Sequence, residues 1–127
     1  MLKTLLLILF ISISSYASEI LWNDSYQEAA LEAKAENKPM LVFMSRAGCG
    51  SCEYMEDTVL IDNEVSDYIN KNYIAVHLDI HDNDAPKSLQ VSVTPVFHFL
   101  KSDGSELKES LYGGKTAPFF IKIIQLK

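Results

Sequence analysis

The sequence predicts a single α/β domain in which helices flank a small mixed β-sheet. Three features support this fold class. A continuous apolar run at residues 40–44, and runs at 73–78 and 96–100 that each contain one histidine, are typical of buried strands. Helical patterning separates the first two runs, so these strands are expected to pair in parallel. A turn at residues 102–105 adds an antiparallel strand at 106–112, which we place near an edge of the sheet.

The helices are predicted from capping signals and from the spacing of apolar side chains. Asp24, with Gln27 three residues later, forms a capping box that begins the first helix. The last helix is amphipathic and follows a pair of glycines. The predicted helices lie at about residues 24–36, 50–60, 62–70 and 117–126, with a helical turn at 86–90.

The N-terminus has the layout of a secretory signal peptide. Lys3 precedes an apolar run at residues 5–13, and the small-x-small triplet Ser15-Tyr16-Ala17 follows. The run is too short for an ordinary membrane span, although an uncleaved anchor is the alternative. We therefore expect residues 1–17 to be a signal peptide, residues 18–127 to form one domain, and the protein to be exported to the periplasm.

Size and charge restrict the possible partners. The chain has 127 residues and a formal net charge of −6 at pH 7, with its acidic residues spread along the sequence. Removal of the leader would leave 127 − 17 = 110 residues, which suffice for one domain core but not for two. Because an acidic protein of this size is repelled by phosphate groups, we expect no nucleic acid partner.

The two cysteines of the chain, Cys49 and Cys52, form a CxxC motif between the first strand and the second helix. An exported chain meets an oxidising compartment, in which disulfides form and persist. A bridge across two residues closes a very small loop and constrains the unfolded chain little, so a purely stabilising role is not favoured. The pair is therefore predicted to be redox-active.

The positions of the two thiols predict different roles. Cys49 lies where a helix begins, and the free N–H groups and dipole at that end favour a thiolate. Cys52 is one helical turn further on and deeper. We therefore expect Cys49 to attack the disulfide of a partner and Cys52 to resolve the mixed disulfide.

With this motif in its context, the sequence resembles the thioredoxin superfamily from about residue 21 to 127. The resemblance depends on CGSC after LVFM, on YIAVHLDI, on VTP before VFHFL, and on Gly113 before the last helix. Residues 36–65 are most similar to exported bacterial thioredoxin-like domains, including the C-terminal periplasmic domain of the transmembrane thiol electron conductor. The resemblance implies a thioredoxin fold and disulfide oxidoreductase activity.

The resemblance also implies roles for residues outside the motif. Pro95 would be a cis-proline beside the dithiol, in a loop that binds an extended substrate chain, and Thr94 would contact the dithiol. Glu56, four residues after Cys52, would lie near the buried thiol and relay protons, unless it is an ordinary solvated carboxylate. The position of the buried aspartate of thioredoxin is occupied by Phe43, and that of the tryptophan before the first cysteine by Gly48.

Other readings of the motif remain open. Cys49, Cys52, His77 and His81 could be written as a zinc site, although the histidines lie far outside finger spacing. A redox-inert thioredoxin-like module is a second alternative, and a disulfide oxidase or isomerase a third. We favour a monomeric periplasmic reductase without a cofactor, supplied with electrons by a membrane thiol donor and acting on disulfide-containing exported proteins.

Overall fold

The structure is a computed structural model that describes residues 18–126; the predicted signal peptide and Lys127 lie outside the described residues. Within this range, five strands form one mixed sheet in the order β1-β3-β2-β4-β5. β1 and β2 both pair in parallel with β3, whereas β2 with β4 and β4 with β5 are antiparallel. The strands are β1 Trp22–Asn23, β2 Met40–Ser45, β3 Ile74–Asp79, β4 Val96–Leu100 and β5 Glu106–Tyr112. The predicted α/β thioredoxin fold is confirmed.

The apolar run that predicted the first buried strand forms the central strand of the sheet, β2. Every residue of β2 is buried, because helices cover both faces. Its side chains alternate between two core clusters: Leu41 and Phe43 belong to one, and Met40, Val42 and Met44 to the other. The cluster around Phe43 is built mainly with the helices that follow the cysteines, so it forms the floor of the candidate site.

Helices cover the sheet on both faces. The helices are α1 Tyr26–Glu36, α2 Gly50–Tyr54, α3 Asn63–Asn72 and α4 Ala117–Ile124, with a 3-10 turn at Lys87–Leu89. α1 contributes Ala29 and Ala33 to one core cluster. On the other face, α4 contributes Phe120 and Ile124.

Two helix predictions require correction. The N-cap of α1 is Ser25 and not Asp24, and Gln27 does not close a capping box. Instead, the Asp84 carboxylate, from the loop after β3, accepts the N–H groups of Tyr26 and Gln27 at 2.7 and 2.9 Å and the Ser25 hydroxyl at 2.9 Å. A distant carboxylate therefore adds to the local cap, in which Ser25 Oγ accepts the Glu28 N–H at 3.4 Å.

The helix after the cysteines is also not uniform. It is α-helical only through Tyr54 and continues as a π-helical turn, Met55–Val59, in which the Leu60 N–H donates to the Met55 carbonyl at 2.7 Å. A π turn carries one more residue than an α turn, so the side chains that follow are rotated around the axis. The turn includes Glu56.

Both edges of the sheet offer little to an added strand. β1 is only two residues long and was not predicted from the sequence. β5 carries the charged residues Glu106, Lys108 and Glu109, and its register against β4 is irregular. No helix within residues 18–126 has the length and apolar character needed to span a membrane.

Candidate active site

The dithiol lies directly beyond the C-terminal end of the central strand. After Ser45, the last residue of β2, the chain turns through Gly48, whose φ of 72° is in the left-handed region that favours glycine. Cys49 is then the N-cap of α2. The rigid central strand and the helix start together fix the position of its sulfur.

Cys49 and Cys52 are joined by a disulfide, with Cα atoms 5.2 Å apart. The Cys52 N–H donates to Cys49 Sγ at 3.2 Å, so a free N–H group at the helix start is directed at this sulfur. Cys49 is 6% exposed and Cys52 is 1% exposed. The first sulfur is therefore the one that a partner can approach, and the second is closed off from solvent.

The loop before β4 supplies the next contact to the dithiol. The Thr94–Pro95 peptide bond is cis, as the resemblance implied. The Thr94 hydroxyl donates to Cys49 Sγ at 3.2 Å, so this sulfur has two hydrogen-bond donors. Pro95 is buried, and its carbonyl accepts the Gly113 N–H at 2.9 Å. Substrate binding by Thr94 and Pro95 stays a prediction.

A second loop lies against the start of α2. The Gly114 backbone is so close that a Cβ there would be 3.7 Å from both Ser51 Cβ and the Ser51 carbonyl oxygen. The Lys115 N–H donates to Met55 Sδ at 3.3 Å. This loop and α2 line an open groove of about 390 Å³ next to the motif, bordered by the half-exposed Tyr54. The sequence analysis used the two glycines to place the last helix and Gly113 as a mark of the resemblance, and it did not predict this contact with α2.

Glu56 pairs with a histidine that the sequence analysis did not connect with it. Its Oε1 lies 3.7 Å from His77 Nε2, and His77 Nε2 is 2.6 Å from Ser45 Oγ. No side-chain hydrogen bond joins Glu56 to Cys52 within the described part of the chain. The His77 ring stacks on Phe43, with centroids 4.4 Å apart, so Phe43 supports the imidazole at the position where thioredoxin has its aspartate.

The surroundings shift the pKa values of this pair towards each other. Burial, with smaller contributions from Asp57 and Glu53, raises the pKa of Glu56 above its ordinary value. Burial lowers the pKa of His77, against the opposing effect of Asp24 and Asp79. Because a pocket of about 460 Å³ opens beside both side chains, they can still exchange protons with solvent.

The alternative zinc site is not assembled. His77 is held by Ser45 and faces Glu56, and the two cysteines are bonded to each other. His81 is exposed in the loop after β3. Among residues 18–126, no group of three or more histidine, cysteine or acidic side chains is arranged to hold a metal ion.

Fold and dithiol together define the class: a thioredoxin-like protein with a CxxC pair, a combination that supports thiol–disulfide oxidoreductase activity. A sequence model of the thioredoxin-like family matches residues 21–102, which is more than half of the chain, and the protein belongs to this family.

Individual proteins are similar to this chain in sequence or in fold. An uncharacterised protein of Archaeoglobus fulgidus is 32% identical over 73 residues, covering 58% of this chain and 56% of that protein, so the chain spans about half the length of this relative. A thioredoxin from Thermus thermophilus superposes with a TM-score of 0.70 at 23% identity, over 84% of this chain and 85% of that one. The oxidised C-terminal domain of Neisseria meningitidis DsbD superposes with a TM-score of 0.63 at 24% identity, over 76% of this chain and 87% of that one. At these identities the two structures show the fold alone.

Proposed function

We propose that the protein is a periplasmic reductase of protein disulfides and acts through the Cys49–Cys52 dithiol. The observation that carries the proposal is the asymmetry of the two sulfurs. Cys49 Sγ accepts hydrogen bonds from the Thr94 hydroxyl and the Cys52 N–H at 3.2 Å each, whereas Cys52 is almost completely buried. The same donors would stabilise a thiolate at Cys49 after reduction.

In the proposed reaction, the Cys49 thiolate attacks a disulfide of an exported protein and forms a mixed disulfide, and one sulfur of the partner leaves as a thiolate, which solvent then protonates. Cys52 then attacks Cys49 Sγ, which closes the intramolecular disulfide and releases the second partner sulfur. The dithiol loses two electrons and the partner disulfide gains them. The substrate chain would lie along the Thr94–Pro95 loop and the groove beside Gly114.

A reductase in an oxidising compartment has to be re-reduced after each cycle. We therefore propose that a membrane thiol electron donor reduces the Cys49–Cys52 disulfide from the periplasmic side. The dithiol itself is the redox group, so the cycle requires no other cofactor. We further propose that the protein acts as a monomer.

Trapping tests the roles of the two cysteines. The Cys52→Ser variant should accumulate mixed disulfides with exported proteins in the cell, because the resolving thiol is absent. These adducts should appear on non-reducing gels and disappear on reduction. Cys49→Ser is the matched control and should trap none; adducts with Cys49→Ser alone would reverse the assigned roles.

The redox state of the pair in intact cells tests the direction of electron flow. Cells would be quenched in acid and free thiols labelled with a bulky maleimide, so that the reduced protein shifts on a gel. A mainly reduced pair supports the reductase. A fully oxidised pair, in cells that have the membrane donor, would contradict it and favour an oxidase, an isomerase or an inert module.

A further inference from the structure

Resolution of the mixed disulfide requires a proton acceptor. Cys52 is 1% exposed and must lose its thiol proton before it can attack Cys49 Sγ. Position 43, where a thioredoxin has a buried aspartate, holds a phenylalanine here. The acceptor is therefore either solvent or a side chain from another element of the fold.

Glu56 is placed to take this proton. Helical residues four apart are neighbours, with Cβ atoms about 5–6 Å from each other, so Glu56 lies within one turn of Cys52. The π turn that begins at Met55 changes the direction of the side chains after Tyr54, and the Glu56 carboxylate faces His77 at 3.7 Å. The carboxylate thus has the imidazole as its neighbour and belongs to the helical turn that follows the buried thiol.

His77 is held firmly by three neighbours. Ser45 Oγ is 2.6 Å from Nε2, Phe43 stacks on one face of the ring with centroids 4.4 Å apart, and the Trp22 ring centroid lies 5.6 Å away. The side chain keeps 27% of its surface exposed to the pocket beside it. A fixed imidazole with solvent access can both orient a carboxylate and exchange its proton.

We propose that His77 is a positioning residue for Glu56, and that the Ser45–His77–Glu56 group accepts the Cys52 proton while the mixed disulfide is resolved. This inference rests on the proposed function. In the step, the Cys52 S–H proton passes to the Glu56 carboxylate as Cys52 Sγ bonds to Cys49 Sγ. The bond between Cys49 and the partner sulfur breaks, and the partner leaves as a thiolate. The carboxyl then loses its proton to solvent through His77.

The other charged groups that line this pocket or shift the pKa values of the pair are acidic. Glu53 and Asp57 flank Glu56 on its own helix and raise its pKa, and Asp24 and Asp79 act on His77 from the end of β1 and from β3. Glu19 lines the same pocket. No Lys or Arg side chain lines this pocket in the described part of the chain. Of the side chains that line this pocket, His77 is therefore the one that can become a cation opposite Glu56.

Both chemical steps can be followed in one experiment with Ellman's reagent, 5,5′-dithiobis(2-nitrobenzoate), in excess over the reduced protein. Attack by Cys49 releases a first thionitrobenzoate, and resolution by Cys52 releases a second. Stopped-flow traces from pH 5 to 7.5 would give both rates. For His77→Phe, which keeps an aromatic ring against Phe43, we expect the second release to slow roughly tenfold near pH 6 and its pH profile to shift. The first release should stay within about twofold, and the control His81→Phe should match the wild type in both phases.

Epistasis separates a positioning role from a structural one. If His77 acts through Glu56, then His77→Phe should add no further slowing in a Glu56→Gln background. Ser45→Ala should also slow the second thionitrobenzoate release. If His77→Phe does not fold, Ser45→Ala serves as the test in its place. The inference would be overturned if His77→Phe and Ser45→Ala both released the second thionitrobenzoate as fast as His81→Phe. It would also be overturned if the effects of His77→Phe and Glu56→Gln on this rate were fully additive. Absence of a second release from the wild type would instead overturn the proposed function.

Discussion

At the scale of single residues, the contacts of Cys49 account for the asymmetry of the dithiol. Its sulfur is bonded to Cys52 and accepts two hydrogen bonds, from a main-chain N–H of α2 and from the Thr94 hydroxyl. Hydrogen bonds to a charged acceptor are stronger than those to a neutral one. Both donors therefore favour the thiolate over the thiol once the bridge is reduced.

Thr94→Val tests the contribution of the hydroxyl, because valine has nearly the same shape but no donor. Loss of one hydrogen bond to a charged sulfur costs about 1.5–3 kcal/mol at most. We expect the reduced variant to be alkylated by iodoacetamide at pH 6.5 about tenfold more slowly than the wild type. The nearby Ser92→Ala serves as the control. Equal rates for Thr94→Val and the wild type would mean that the hydroxyl does not act on the reduced sulfur.

Residues of the site differed in how far the sequence could predict them. The cysteines were found from their spacing and their place between strand and helix, and Thr94 and Pro95 from the family resemblance. The contact of His77 with Glu56 was not found, since the two are 21 positions apart and their contact depends on the π turn and on the register of β3 against β2. His77 had been placed in a buried strand, and in the structure its side chain is partly exposed to a pocket.

At the scale of elements, α1 is joined to the loop after β3 by the Asp84 carboxylate. Desolvation alone would raise the pKa of Asp84, but hydrogen bonds from the Gln27 and Tyr26 N–H groups and the Ser25 hydroxyl lower it overall. The charged form is therefore favoured in the folded state. Residues 25–27 could not reveal this cap, because the acceptor lies 57–59 positions away.

Asp84→Ala should lower the free energy of unfolding by about 1 kcal/mol at pH 7, as is typical for loss of a helix cap. A group with a lowered folded-state pKa stabilises the fold above its unfolded pKa and loses this contribution as the pH falls through the folded value. The difference in the free energy of unfolding between Asp84→Ala and the wild type should therefore become smaller below pH 3.8. Urea unfolding at pH 7 and pH 3 measures it. Asp82→Ala, in the same loop, is the control, and a difference that does not depend on pH would contradict the charged cap.

At the scale of the whole molecule, the buried histidines couple folding to pH. His98, in β4, is 5% exposed; its Nε2 donates to the Leu89 carbonyl at 2.9 Å, and its Nδ1 accepts the Ser110 hydroxyl at 2.7 Å. Burial lowers its pKa, although the bond to Leu89 opposes the shift. His98 is thus a sheet histidine with a hydrogen-bond partner at each ring nitrogen.

Because the pKa values of His77 and His98 lie below 6.5 in the folded state, the unfolded chain takes up protons first as the pH falls. Unfolding should therefore become more favourable from about pH 6.5 downwards. His98→Gln should reduce this pH dependence, whereas exposed His81→Gln should leave it unchanged. Urea midpoints from pH 7.5 to 5.5 provide the test; identical slopes for wild type and His98→Gln would exclude the role of His98.

The overall architecture was predictable because its strongest signals are local. An uninterrupted apolar run such as 40–44 is typical of a strand that is buried on both faces, and a helix between two strands favours their parallel pairing. The limits of the elements were less accurate. Tyr73 was predicted to begin a strand, but it ends α3 and its hydroxyl donates to the Ile124 carbonyl at 2.6 Å. β1 is too short for a periodic pattern, so it was not found.

The two edges of the sheet affect how readily the protein aggregates with other chains. An exposed strand edge can recruit another chain and start aggregation, and proteins prevent this with short or charged edge strands. Here β1 ends the sheet after two residues, and the Lys108 ammonium on β5 lies over the Phe99 ring, 4.6 Å from its centroid, with glutamates at 106 and 109. Neighbouring unfolded chains therefore find little template on this sheet for the addition of their own strands.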